Sequence, residues 1–130
     1  MIHCKLGSLF NLTDAVGEST LFRLMNIGKE ISLISNRWKI SVVVEGISKA
    51  LSVAMTPRTE ILEKYGQPSG DNQWVISKEN LPSYQKEIDL LRNEEIEISG
   101  NPLDLEIFEG SNLTVQDLIL LDAAGLLVKK

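Results

Sequence analysis

The sequence predicts an α+β fold: an N-terminal antiparallel helical hairpin with a long central helix, then a small, mostly antiparallel sheet carrying one or two packed helices. Three observations predict it. Apolar residues recur at steps of three and four from Trp38 to Tyr65. After Gly66 the pattern changes to short alternating runs separated by clusters of Pro, Gly, Ser and Asn. The helical segments come first and the strands are grouped behind them, whereas a regular βαβ chain would alternate. The 130 residues, 43% apolar and 24% charged, read as one domain over 1–130, with a helical part at about 7–66 and an α+β part at about 72–130.

In chain order, Ile2 to Leu6 suits a short strand, and Ser8 is placed to cap a helix from Leu9. Leu9, Leu12 and Val16, then Leu21, Leu24, Gly28 and Ile31, share a helical face, while Gly17 and the polar Glu18-Ser19-Thr20 mark an interruption. One interrupted helix or two short ones follow. The segment SLISN connects to the central helix, with Ser35 as its cap. Helices joined by a short link normally pack antiparallel, hence the hairpin.

In the central helix Ile40, Val43, Val44, Ile47, Leu51, Ala54, Ile61, Leu62 and Tyr65 form the buried stripe. The β-branched run from Ile40 to Val44 favours a strand on propensity, but the stripe continues in helical phase beyond it. Pro57 lacks a donor and crowds the Val53 carbonyl, so the helix either kinks there or restarts with Thr56 as cap. Unbroken, it is roughly 40 Å long. Gly66 suits a left-handed stop, and Pro68 prevents continuation.

QPSGDN reads as a loop, and Gln73 to Ser77 as a strand with Trp74 and Ile76 on one side. Asn80 and Pro82 open a helix with Leu81, Tyr84, Ile88 and Leu91 in a stripe, ending near Asn93. Glu95 to Ser99 is a strand with Ile96 and Ile98 inward. Leu103, Leu105 and Ile107 alternate with acids, as in another half-buried strand or an extended loop across the core. EGSN closes it. Thr114 and Asp117 form a capping box for a last helix that Gly125 ends. The tail LLVKK packs its leucines and leaves two lysines in solvent.

Charge divides the chain. Residues 1–66 hold eight Lys or Arg against six Asp or Glu, and residues 67–130 hold five against twelve, for a net charge of −5. The acidic half argues against general nucleic-acid binding. No apolar run approaches the length of a bilayer span and no secretory signal begins the chain, so a cytoplasmic, non-membrane protein is expected. The single Cys4 allows no internal disulfide.

Catalytic sets are scarce. His3 and Cys4, each the sole residue of its kind, cannot build a structural zinc site and read as ordinary strand residues. A serine or cysteine nucleophile would have only His3 as its base, and no GxSxG or P-loop glycine spacing occurs. Glu87, Asp89, Glu94, Glu95, Glu97, Asp104, Glu106 and Glu109 could supply an acid–base pair or a cation site, although such alternation also describes any solvated sheet face. No cofactor is expected. The one basic cluster with an aromatic is Arg37, Trp38 and Lys39, where a helix N-terminus with two cations beside an indole could grip a phosphate or stack on a base. The plainer reading makes Trp38 the anchor of the hairpin, with solvated neighbours.

The leucine-rich first helix, the long helix ending in ILEKYG, the stretch QWVISKENLPSYQKEIDLL, then EIEI and LTVQDLILLDAAGLL resemble small uncharacterised proteins of phages and prophages of bacteria. The resemblance covers most of the chain and implies no catalytic residues. It implies a phage product in the host cytoplasm that works by stoichiometric binding, as a counter-defence protein that sequesters a nucleotide signal or inhibits a host factor. A homo-oligomer is expected from the long helix and aliphatic tail. The rival reading is a virion or head or tail assembly component; a metal-dependent enzyme using the acidic half is the third.

Overall fold

In a computed structural model, residues 2–13, 19–31, 33–70, 73–108, 111 and 113–128 are described. The expectations for Val16, Gly17, Glu18, Ser32, Glu109, Lys129 and Lys130 lie outside these residues.

Ile2–Lys5 extends as β1 and passes directly into α1, Leu6–Thr13. Ser8 is therefore inside the helix and does not cap it. The Leu6 amide, a first-turn donor without an intrahelical acceptor, is satisfied by the Glu94 carbonyl across the fold. The two-helix option holds: α2, Thr20–Glu30, begins at Ser19, whose hydroxyl accepts from the Phe22 amide. Its face of Leu21, Leu24 and Ile27 is buried.

α3 runs from Ile34 to Tyr65, 32 residues, continuous through Pro57. At 1.5 Å per residue this is roughly 48 Å. Ser35 lies inside its first turn and is not the cap. Leu33 occupies that place with no side-chain cap bond, and its carbonyl accepts from the Asn36 and Arg37 amides. The expected stripe is largely present: Ile40, Val43, Ile47 and Ala54 are buried, and Val44 and Leu51 pack against them. α2 packs on the α3 side that presents Ile40, where a Cβ on Gly28 would meet the Ile40 side chain at 3.1 Å. A side chain at position 28 would have to push the Ile40 side chain back by a few tenths of an ångström.

Gly66 does not take the left-handed stop. Its backbone is extended, φ −112° and ψ 171°, and it opens β2, Gly66–Pro68. A Cβ there would stand 2.9 Å from the Leu62 carbonyl oxygen, so glycine is required by space. Gln67 and Pro68, expected in a loop, pair instead with β3, Trp74–Ile76, antiparallel, in the register Pro68 to Trp74. Proline is tolerated at such a ribbon's end because no ladder bond is needed beyond it.

α4, Leu81–Arg92, follows Asn80 and ends at Asn93. Tyr84, Ile88 and Leu91 are half-buried, whereas Leu81 is exposed. β4, Glu95–Ile98, pairs antiparallel with β1, Ile2 opposite Ile98 and Cys4 opposite Ile96. The single small sheet expected is thus two separate two-stranded ribbons. The strand expected over Leu103 to Ile107 is absent: Leu103 forms an isolated parallel bridge with Leu127, and Leu105–Phe108 is a 3-10 turn. With only three apolar residues in alternation, a rotation to three-residue spacing buries Phe108 beside Leu103 and turns Leu105 outward.

α5, Val115–Ala123, carries the expected capping box. It ends as expected at Gly125, φ +71°, where the Gly125 and Leu126 amides donate to the Asp122 and Leu121 carbonyls. That pair of bonds is a Schellman motif, closed by buried Leu121 and Leu126. One cluster of buried side chains joins both halves of the chain, from Ile2, Leu9 and Phe10 through Ile40 and Ile47 to Leu126 and Leu127.

Candidate functional site

The buried stripe of α3 begins at Ile40, and the helix starts six residues earlier. Residues of those first turns that lie off the stripe face solvent. Trp38 is about 160° around the axis from Ile40 and Ile34 is one turn before it; they are 70% and 74% exposed. On α2, Phe22 and Met25 are also exposed, as is Leu33 between the helices. The outer side of α2 and the first turns of α3 therefore present exposed apolar side chains, with Leu33 and Ile34 at the tip of the hairpin. Between the helices lies an open groove of about 650 Å³, floored by Gly28, Ile40 and Val44 and bordered by Met25, Ile34 and Trp38, with Lys29 and Arg37 at its rim.

The three residues singled out in the sequence are all exposed, which removes Trp38 as an anchor of the hairpin. They do not converge on one pocket. Arg37 borders the groove between α2 and α3, whereas Lys39 borders a second groove of about 330 Å³, formed with Val42, Gly100, Pro102 and Asp104. Trp38 is the ridge shared by both. Lys29, Arg37 and Lys39 make no ion pair with any described residue. The surface can thus offer an indole, aliphatic contact and unneutralised cations. In these two grooves Arg37 and Lys39 stand on opposite sides of the Trp38 ridge and do not face a common space.

Sequence reasoning missed Met25, Lys29, Leu33 and Ile34 as members of this surface. The available signal was phase: Ile34 and Trp38 are apolar, spaced as one helical turn, and out of register with the stripe from Ile40 onward.

Other clusters have structural partners. His3 Nδ1 stands 3.4 Å from Glu97 across the β1/β4 ribbon, and burial raises the pKa of the half-buried Cys4 thiol. Lys64 donates to Glu87 at 3.1 Å, tying the end of α3 to α4. Contacts with the Tyr65 hydroxyl and then Lys64 lower the Glu87 pKa, and Glu87 in turn raises that of Lys64. Among the described residues no three of His, Cys, Asp and Glu come together as a metal set.

The expectation that no stretch could span a bilayer is corrected by α3, which is long and apolar enough by length and composition, with a mean hydropathy of 1.3 over its best 18 residues. Val, Ile and Ala raise that average on all sides of the helix. In the fold its stripe packs on α1, α2 and β4, and Glu45 and Lys49 stand exposed.

No protein family model, curated protein or solved structure matches the chain.

Proposed function

We propose that the protein acts without catalysis, by stoichiometric binding of a protein partner at the tip of the α2/α3 hairpin. The observation that supports this most is the exposure of Ile34 and Trp38, 74% and 70%, beside an open apolar groove rimmed by Lys29 and Arg37. A soluble fold gains nothing from leaving an indole and neighbouring aliphatic side chains in water; such contiguous surface marks an interaction site. Trp and Arg are also the residue types that concentrate binding energy in protein interfaces. The resemblance to small phage and prophage proteins supports a phage product acting in the bacterial cytoplasm, and a host factor as the partner it inhibits. An assembly role would direct the same tip toward a head or tail protein.

Sequestration of a nucleotide signal is the less favoured use of this surface, because Arg37 and Lys39 border different grooves. The test is parallel purification of the intact protein and an Ile34→Ser/Trp38→Ala variant from infected cells, followed by native mass spectrometry. A protein retained in fixed stoichiometry by the parent and lost from the variant is the expected result. A partner retained equally by both, or a small-molecule adduct in its place, overturns the reading.

A further inference from the structure

We propose that the protein is a two-fold dimer in which α3 of one copy crosses α3 of a second antiparallel beside Val53, with Lys49 of each copy against Glu60 of the other. This goes beyond the reading of the hairpin tip and uses a different face. Along α3, on the side toward α4 and β4, runs a largely apolar groove of about 440 Å³, lined by Gly46, Ala50, Val53, Pro57, Leu91 and Ile96 among others. Val53 is 72% exposed at its edge. An aliphatic side chain standing over an apolar groove supplies both halves of a contact that a second copy can reciprocate.

The charges decide what fits. Lys49 and Glu60 are exposed, and neither makes an ion pair with any described residue. Their separation in sequence places them within about 20° of each other around the helix and roughly 16 Å apart along it. Val53 lies on the same side, between them. The face therefore reads positive, apolar, negative. A parallel neighbour in register would set like charges together, whereas an antiparallel one centred between residues 54 and 55 sets 49 opposite 60 on both sides of the axis. One turn further out the same centre sets Glu45 opposite Lys64. Opposite signs placed evenly about an apolar centre make a surface complementary to itself under a two-fold.

Both charged residues are exposed, so charge reversal leaves the fold intact, which circular dichroism checks. Sedimentation equilibrium of the intact protein should give twice the 14.5 kDa chain mass. Lys49→Glu and Glu60→Lys should each weaken dimerisation by about tenfold or more, since each sets two pairs of like charges face to face. An equimolar mixture of the two variants should form a one-to-one heterodimer, and the double variant should dimerise with itself. A parent chain that stays monomeric to about 100 µM, a weak limit for a specific interface, overturns the proposal. So does a dimer indifferent to both reversals, or a mixture of variants that does not associate. The tip residues lie outside this face, so partner loss in the Ile34→Ser/Trp38→Ala variant and dimer loss here are separate results.

Discussion

The Asp117 carboxylate serves both the helix it begins and the helix it faces. It accepts from the Thr114 amide at 3.0 Å in the capping box, from the Thr20 hydroxyl at 2.7 Å, and, through both of its oxygens, from the single Nη1 of Arg23 at 2.7 and 2.8 Å. At 1% exposure, burial pushes its pKa up. The Thr20 and Arg23 hydrogen bonds, the Thr114 amide and the Arg23 charge together outweigh that and hold it below the ordinary 3.8. A folded-state pKa below the unfolded one contributes stability that is present above the ordinary carboxylate range and lost as pH falls through the folded value. Urea titrations at several pH values should therefore show the parent's advantage over Asp117→Asn constant near neutrality and shrinking below about pH 4. Asp117→Ala should cost about 3 kcal/mol, because Arg23 and Thr20 lose their acceptor together. Gly125→Ala should cost about 1–2 kcal/mol for left-handed backbone, with added crowding from the His3 carbonyl oxygen at 3.2 Å. The capping box and the glycine stop were legible in the sequence because both are local. That the same aspartate holds a threonine and an arginine more than ninety residues away was not, since no local pattern encodes a distant partner.

α3 shows what continuity costs an element. Pro57 sits inside an unbroken helix, so the Val53 carbonyl loses its donor at a position where the chain is open to solvent. Pro57→Ala should then raise stability by about 1–3 kcal/mol, measured as a higher urea midpoint with unchanged slope. A drop in stability would mean that the ring's packing in the α3/α4 groove outweighs the missing bond. The stripe of α3 was legible because its period is sustained over many turns, and the strands near Trp74 and Ile96 because alternation coincided with turn residues on both sides. Leu103 to Ile107 was not, as five residues of alternation fit both a strand and a tighter turn. The first residues of α3 misled in a different way. Ser35 has the chemistry of a cap, but helical geometry begins one residue before it, and Leu33 supplies only a carbonyl.

Across the whole molecule, surface and core divide the roles of apolar residues. Trp38→Ala and Ile34→Ser should shift unfolding free energy by less than about 0.5 kcal/mol, as expected for exposed positions, while removing partner binding. Calorimetry of the variants beside the binding assay separates these effects. The membership of the tip surface was partly legible: Arg37, Trp38 and Lys39 were found, but their division between two grooves depends on segment 100–104 lying beside α3, which nothing in the local sequence specifies. The pairing of β1 with β4 was likewise invisible, although both strands were readable one at a time. That pairing orders events in the cell. Among the described residues the first strand finds its ladder partner at residues 95–98, and the Gly125 turn, Leu126 and Leu127 close over the same region. A chain emerging from the ribosome can form α2 and α3 early, but its first strand stays unpaired until residues 95–98 are outside the tunnel, and its core stays open until Leu126 and Leu127 follow. Part of the apolar stripe gains its cover only when these later segments arrive, so the fold closes late in synthesis.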